Sequence, residues 1–101
     1  MEYTMNKELK PDTWIYVIVQ DPGAEEQFLG QHDSENDISF IPAFFQKEDA
    51  QASFLQFARQ KGKKYEIQAI SYDDLAQNAA ESGFLIFMLD AEGKIQKKIN
   101  P

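Results

Sequence analysis

The chain contains no cysteine among its 101 residues. Disulfides, thiolate metal sites and thiol nucleophiles are therefore excluded, and dithiol redox activity with them. Long apolar runs are missing too, since the longest, residues 14–19 and 84–89, fall far short of the roughly 20 residues that a membrane helix needs. The first residues also lack the basic segment and apolar stretch of a secretory signal. We therefore predict a cytoplasmic protein that does not contact membranes.

Positively charged residues are also few. Ten Lys and Arg stand against 17 Asp and Glu, which gives a net charge of −7. This balance disfavours nucleic acid as a partner, because such binding depends on neutralising phosphates. The charge is also uneven, with eight acids and a single lysine from Asp21 to Asp49, but four cations and no acid in residues 59–64. Two opposite patches on one chain favour pairing with a protein partner or with a second copy.

Length and composition indicate one ordinary globular domain. At 43% hydrophobic and 27% charged residues, the chain is neither disordered nor fibrous. Residues 1–12 are polar and end in Lys10-Pro11-Asp12, which predicts an N-terminal arm followed by a turn. We predict that residues 13–101 form a single α+β domain.

Apolar patterning predicts six strands. Residues 14–19 and 84–89 are apolar without alternation, as in strands covered on both faces. Further strands are predicted at residues 27–31 (a weak one, interrupted by Gly30), 38–45, 65–70 and 94–99. Asp90-Ala91-Glu92-Gly93 predicts a hairpin turn, after which the lysines of the last strand protect an exposed edge.

Two helices are predicted between these strands. The spacing of Ala50, Phe54, Phe57 and Ala58 predicts a helix over residues 47–60, with Gly62 as its left-handed cap. Ser71-Tyr72-Asp73-Asp74 predicts the N-cap of a second helix that runs to Gly83.

The predicted architecture is a mixed β-sheet with two helices packed on one face, in the order β-β-β-α-β-α-β-β. Helices on one face would leave the other face of two fully apolar strands uncovered. This mismatch favours self-association or binding to a partner, although the arm and the long loops could also fold over that face.

The one histidine lies in an acidic stretch. His32 with Asp33, Ser34 and Ser39 has the residue types of a catalytic triad, but no nucleophile motif accompanies them. We therefore assign no catalytic residue. The weak candidates for binding a small ligand or a divalent metal are His32, Asp33 and Asp37.

The same stretch begins like a calcium loop. Asp33, Glu35 and Asp37 alternate as the first ligands of an EF-hand do, but Ile38 and Phe44 stand where that loop needs Gly and Glu. The motif is incomplete, and we predict no bound metal and no cofactor.

One basic cluster is a candidate for contact with a partner. It contains four cations within six residues but no phosphate-binding loop. The predicted interaction residues are Arg59, Lys61, Lys63, Lys64 and Trp14.

Two stretches carry a resemblance to a known family. Residues 41–50 (IPAFFQKEDA) resemble the apolar-Pro-x-Phe segment and acidic helix start of the SseB-like N-terminal domain of enhanced serine sensitivity proteins. Asp74-Leu75-Ala76 and residues 83–87 are similar to that domain's second helix and following strand. Leu89-Asp90 departs from the Asn-Pro of the family. The resemblance spans residues 38–99 and implies a small bacterial α+β domain without an established enzyme activity.

The last hairpin carries a second likeness. Phe87-x-x-Asp90-x-x-Gly93-Lys94 is similar to the end of thioredoxin-like proteins, although Gly83 stands where their proline is expected and no C-x-x-C is present.

These observations lead to one functional prediction and one alternative. We predict a non-enzymatic bacterial interaction domain that binds a protein partner or forms a homodimer. The alternative is a small-ligand or divalent-metal-binding protein, or a minor hydrolase, that uses the His32 loop.

Overall fold

The computed structural model describes residues 9–101 and shows one mixed sheet of seven strands with two helices. This confirms the predicted α+β class. The strands are β1 Trp14–Gln20, β2 Gln27–Phe28, β3 Gln31–Asp33, β4 Ile38–Phe44, β5 Tyr65–Ser71, β6 Leu85–Leu89 and β7 Ile95–Ile99, and the helices are α1 Lys47–Ser53 and α2 Tyr72–Ser82. Neither helix of the described part is long and apolar enough to cross a membrane.

The strand order across the sheet is β5-β1-β4-β6-β7. β5 runs antiparallel to β1 along all seven residues of both strands. β2 and β4 share the other edge of β1, and β3 pairs with the start of β4. β4 is parallel to β6, and β7 returns antiparallel to β6. Among the described strands, β5 and β7 are therefore the outer two.

The two helices pack on opposite faces of the sheet. Ile15 and Val17 of β1 share one core cluster with Leu75 of α2, whereas Ile18 of the same strand clusters with Ala50 of α1. Successive side chains of a strand point to opposite faces, so these two clusters lie on the two sides of the sheet. The prediction that both helices occupy one face is wrong.

Chain connectivity explains this placement. β4, β5 and β6 point in the same direction, and the crossover through α1 passes from β4 to β5 while the crossover through α2 returns from β5 to β6. Right-handed crossovers that run in opposite directions across a sheet place their helices on opposite faces. Within residues 9–101, β1 and β6 contribute buried side chains to core clusters on both faces, so the described part of the sheet lacks the uncovered face that the sequence predicts.

The first helix is shorter than predicted. α1 ends at Ser53 and continues only as a 3₁₀ turn, Phe54–Gln56. Phe57 is extended (φ −90°, ψ 148°), and its ring lies 6.2 Å from that of Phe44. The Gln31 side chain donates to Ala58 O at 3.0 Å and accepts from Ala58 N at 3.1 Å. Tertiary contacts thus replace the helical turn that the spacing of apolar residues predicted.

Several local predictions are confirmed. Ser71 Oγ accepts a hydrogen bond from Asp74 N at 3.3 Å, and Gly83 ends α2 with a φ of 74°. Asp90 N donates to Lys94 O in the predicted hairpin, and β7 lies at an edge. These features depend on residues close in sequence, which is why the local pattern was enough to predict them.

The weak strand predicted at residues 27–31 consists of two strands, β2 and β3, separated at Leu29 and Gly30. The Phe84 ring packs against Gly30 so closely that a Cβ there would lie 2.6 Å from Phe84 Cε2. The break between β2 and β3 therefore lies where the Phe84 ring closely approaches the Gly30 backbone.

Most of the predicted N-terminal arm lies outside the described residues. Of its end, Leu9 packs against the core on the α2 side, and Pro11 O accepts from Asp73 N in the first turn of α2. Thr13 O accepts from Tyr72 N next to it. Residues 9–13 are thus tied to the domain at the start of α2.

Candidate functional site

His32 forms a short chain of polar contacts on the sheet surface. β3 pairs with β4 so that His32 lies opposite Ser39, and His32 Nδ1 is 3.1 Å from Ser39 Oγ. His32 Nε2 is 3.4 Å from Asp37 Oδ1 in the turn between the strands. The structure therefore brings together three of the polar residues that the sequence singled out.

The exposure of this chain limits its chemistry. Its order of hydroxyl, imidazole and carboxylate resembles a triad, but the side chains of His32 and Asp37 are 51% and 94% exposed. Water competes for such an exposed contact, which is therefore weak. Within residues 9–101 no three His, Cys, Asp or Glu side chains are grouped to hold a metal ion. The arrangement supports no catalytic assignment.

Asp33, the third ligand candidate, accepts hydrogen bonds within the turn that follows β3. Its Oδ2 accepts from Asn36 Nδ2 at 2.9 Å and its Oδ1 from Glu35 N at 3.0 Å. The Asn36 side-chain hydrogen bond is the main cause that lowers the pKa of Asp33 below 3.8, with smaller contributions from backbone N–H groups and from Lys98. Asp33 follows His32 in a strand and so points to the other face.

The basic cluster lies on a loop and not at a helix end, because α1 is short. Arg59 stacks on the Phe54 ring at 4.8 Å, and Lys63 Nζ is 3.4 Å from Asp21 Oδ2. Lys61 and Lys64 form no ion pair with another described residue. We call this cluster the basic loop; its residues are Arg59, Lys61, Lys63 and Lys64.

Trp14 and the basic loop lie at opposite ends of β5. Trp14 is 64% exposed and pairs with Ser71, the last residue of β5. Lys64 directly precedes Tyr65, the first residue of that strand. The predicted interaction residues therefore flank the two ends of β5 and do not form one cluster.

The hydrogen-bonding pattern of β5 shows which of its main-chain groups are available. Asp21 N donates to Lys64 O at 2.7 Å, and Tyr72 N donates to Thr13 O at 2.8 Å. Because the bonds of an antiparallel pair alternate, even-numbered residues of β5 point their main-chain groups toward β1. No other strand in residues 9–101 pairs with the far side of β5. The residues whose N–H groups point outward are Tyr65, Ile67, Ala69 and Ser71.

The two outer strands differ in protection. β7 contains Lys97 and Lys98, and its pairing with β6 is irregular between Met88 and Leu89. β5 has neither lysine nor proline nor a bulge, and its one charged side chain, Glu66, accepts a hydrogen bond from the neighbouring Gln68. Lysines and bulges are the usual devices against unwanted pairing at an edge. The main candidate site is therefore the outer edge of β5, which we call the β5 edge.

Sequence reasoning predicted a strand at residues 65–70 but not its position in the sheet. The signal that could have identified an open edge was the absence of lysine and proline from this strand beside the two lysines of the last one. That comparison has meaning only once both strands are known to be outer strands.

Shallow clefts accompany these features. One of about 300 Å³ opens beside His32 and Ser39 and is also lined by Gln31 and Tyr65. Another, of about 400 Å³, lies against the basic loop. The first cleft is lined largely by side-chain amides and aromatic rings, whereas three exposed cations, Arg59, Lys61 and Lys63, line the second.

Comparison of the chain with protein-family models, curated proteins and solved structures finds no match.

Proposed function

We propose that the protein is a non-enzymatic interaction domain that binds a protein partner by adding a strand to the β5 edge. The observation that carries the proposal is the asymmetry of the sheet: β7 is protected by lysines and an irregular ladder, whereas β5 is regular along its seven residues and lacks both. An unprotected edge is a template for an extended segment of another chain.

The two sources of binding energy in strand addition are both present. Main-chain groups of Ile67 and Ala69 supply hydrogen bonds, which give affinity independent of sequence. Side chains near the two ends of β5 supply selectivity: Trp14, exposed on the neighbouring strand β1, lies opposite Ser71, and Lys64 precedes the other end. Tryptophan is enriched among residues that dominate binding energy, and an acidic segment would complement the basic loop.

The experiment selects extended peptides from a displayed random library against the wild-type domain. Ala69→Pro removes an N–H that points away from β1, so the sheet is retained while the added strand is blocked. Ala69→Val is the matched control, because it keeps the N–H and changes only an exposed side chain. We expect selected peptides to bind the wild type and Ala69→Val and to lose binding to Ala69→Pro.

Amide hydrogen exchange locates the binding. The selected peptides should slow exchange of the Ile67 and Ala69 amides while leaving the edge of β7 unchanged. Peptides that bind Ala69→Pro as well as the wild type would contradict the proposal, as would Ile67 and Ala69 amides already protected in the free monomer.

A second candidate function rests on the Ser39–His32–Asp37 contacts beside the cleft of about 300 Å³. It is binding of a small ligand or a divalent ion. A thermal-shift screen with zinc chloride and a metabolite set tests it, and a shift that His32→Ala abolishes would support it. The SseB-like resemblance, the bacterial origin and the cytoplasmic location remain predictions from the sequence.

A further inference from the structure

We infer that the partner at the β5 edge is a second copy of this chain, paired antiparallel through β5 about a two-fold axis at Gln68. The inference rests on the proposed function and names its occupant. It would form one continuous sheet across two protomers, with β5 of each copy at the centre.

The hydrogen-bonding pattern selects this register. Only residues whose N–H groups point outward can pair across the axis, and a centre at Gln68 places Ile67 opposite Ala69 and Tyr65 opposite Ser71 of the second copy. A centre at Ile67 or at Ala69 would leave an outward residue beyond the end of the partner strand. The Gln68 register therefore uses all four outward residues of each copy and allows up to about eight main-chain hydrogen bonds.

Charge complementarity supports the same register. The basic loop precedes β5 and the first turn of α2, with Asp73 and Asp74, follows it. Antiparallel pairing brings Lys64 of each copy beside Tyr72 and Asp73 of the other, so that opposite charges meet twice. Lys64 forms no ion pair with a described residue of its own copy and is therefore available for this contact.

Like charges are kept apart in this arrangement. The two Glu66 residues lie four residues apart along the paired strands, or about 13 Å at 3.3 Å per residue. At the other edge, pairing of β7 with itself would place Lys97 and Lys98 of the two copies together. Electrostatics therefore favours β5 over β7 as the self-pairing strand.

The side chains across the axis also fit in size. Ile67 packs partly buried against the α1-side core, and it would face Ala69, a small exposed residue, of the second copy. The two-fold axis generates two such pairs, each with one residue from each copy. The axis therefore lies between two apolar contacts. A large side chain against a small one avoids crowding where the two strands meet.

A cysteine at the axis tests the register. The chain has no cysteine, so Gln68→Cys introduces the only thiol. Residues that face each other in a non-hydrogen-bonded pair have Cα atoms about 4.5 Å apart, which suits a disulfide. Under mild oxidation Gln68→Cys should form a species of twice 11.6 kDa on non-reducing gels. Glu66→Cys is the control and should cross-link much more slowly.

A charge reversal tests the complementarity without a new thiol. We expect Lys64→Glu to raise the dissociation constant of the dimer by about three- to thirty-fold, since two exposed ion pairs are replaced by repulsions. Lys97→Glu changes the same charge on the other outer strand and should leave the constant unchanged. Analytical ultracentrifugation at low salt measures both, and higher salt should reduce the difference.

The outcomes separate this inference from the proposed function. A chain that stays monomeric at high concentration, or Gln68→Cys cross-linking no faster than Glu66→Cys, overturns the β5 dimer. The proposed function survives that result if selected peptides still bind the β5 edge. Protected Ile67 and Ala69 amides in a monomer overturn both.

Discussion

Gly30 offers a sharp test of how the core is packed between β2 and β3. Its backbone φ is not positive, so a left-handed conformation is not what requires glycine there. A Cβ at this position would instead lie 2.6 Å from Phe84 Cε2, closer than carbon atoms normally approach. The structure therefore explains the glycine by a single neighbour, the Phe84 ring.

The magnitude follows from two opposing effects. Overpacking in a core costs about 1–3 kcal/mol, and alanine in place of glycine at a compatible backbone returns about 0.4–1 kcal/mol through the unfolded state. The difference predicts that Gly30→Ala destabilises the fold by roughly 0–2.6 kcal/mol. Phe84→Leu removes Cε2 and Cζ, so in that background the same change should be neutral or stabilise by about 0.4–1 kcal/mol.

Urea unfolding of the four proteins of this double-mutant cycle provides the measurement. Circular dichroism reports the transition, and for a denaturant slope of about 1–3 kcal/mol per molar, a change of 1 kcal/mol moves the midpoint by roughly 0.3–1 M. Phe84→Leu alone should be destabilising, because the partly buried ring leaves the core. If Gly30→Ala destabilises equally in both backgrounds, Phe84 is not the cause and the reasoning is refuted.

Two further predictions concern the polar contacts of β3. Gln31→Ala removes both hydrogen bonds to the Ala58 backbone and should lower the free energy of unfolding by about 1–2 kcal/mol; Gln31→Glu keeps only the acceptor and should not restore stability, as urea unfolding would show. The folded pKa of Asp33 is lowered, chiefly by Asn36, so its stabilising contribution is present above pH 3.8 and is lost as the pH falls through the folded pKa. The difference in Tm between wild type and Asp33→Ala should therefore shrink below pH 3.8, and a difference independent of pH would contradict this.

Local sequence predicted the elements well wherever neighbours along the chain determine them. Ser71 caps α2 and Gly83 ends it because each acts on residues within one helical turn. The predicted end of the first helix is wrong, because Phe57 contacts Phe44 and Ala58 contacts Gln31. Both partners are distant in sequence. A helical spacing of apolar residues does not distinguish a helix from an extended segment whose rings reach the same core.

The candidate site was predicted only in part. Residue types alone single out the basic loop and Trp14, but only the sheet shows that they flank opposite ends of β5. The sequence predicts His32, Asp33 and Asp37 as joint ligand candidates, yet side chains alternate along β3, so Asp33 points to the other face. Whether polar residues act together depends on faces and edges, which a sequence of short strands does not specify.

The sequence by itself determined the α+β class, the strand and helix order apart from the weak strand, the caps of α2 and the exclusion of cysteine chemistry, because each depends on composition or on nearby residues. Only the tertiary structure decided that the helices cover opposite faces and that β5 is an outer strand. The reason is that the handedness of a crossover is known in advance, but the strand to which the chain returns is not. Because the chain returns to the far side of β1, the described sheet has an unpaired edge at β5 and not the uncovered face that the sequence predicts.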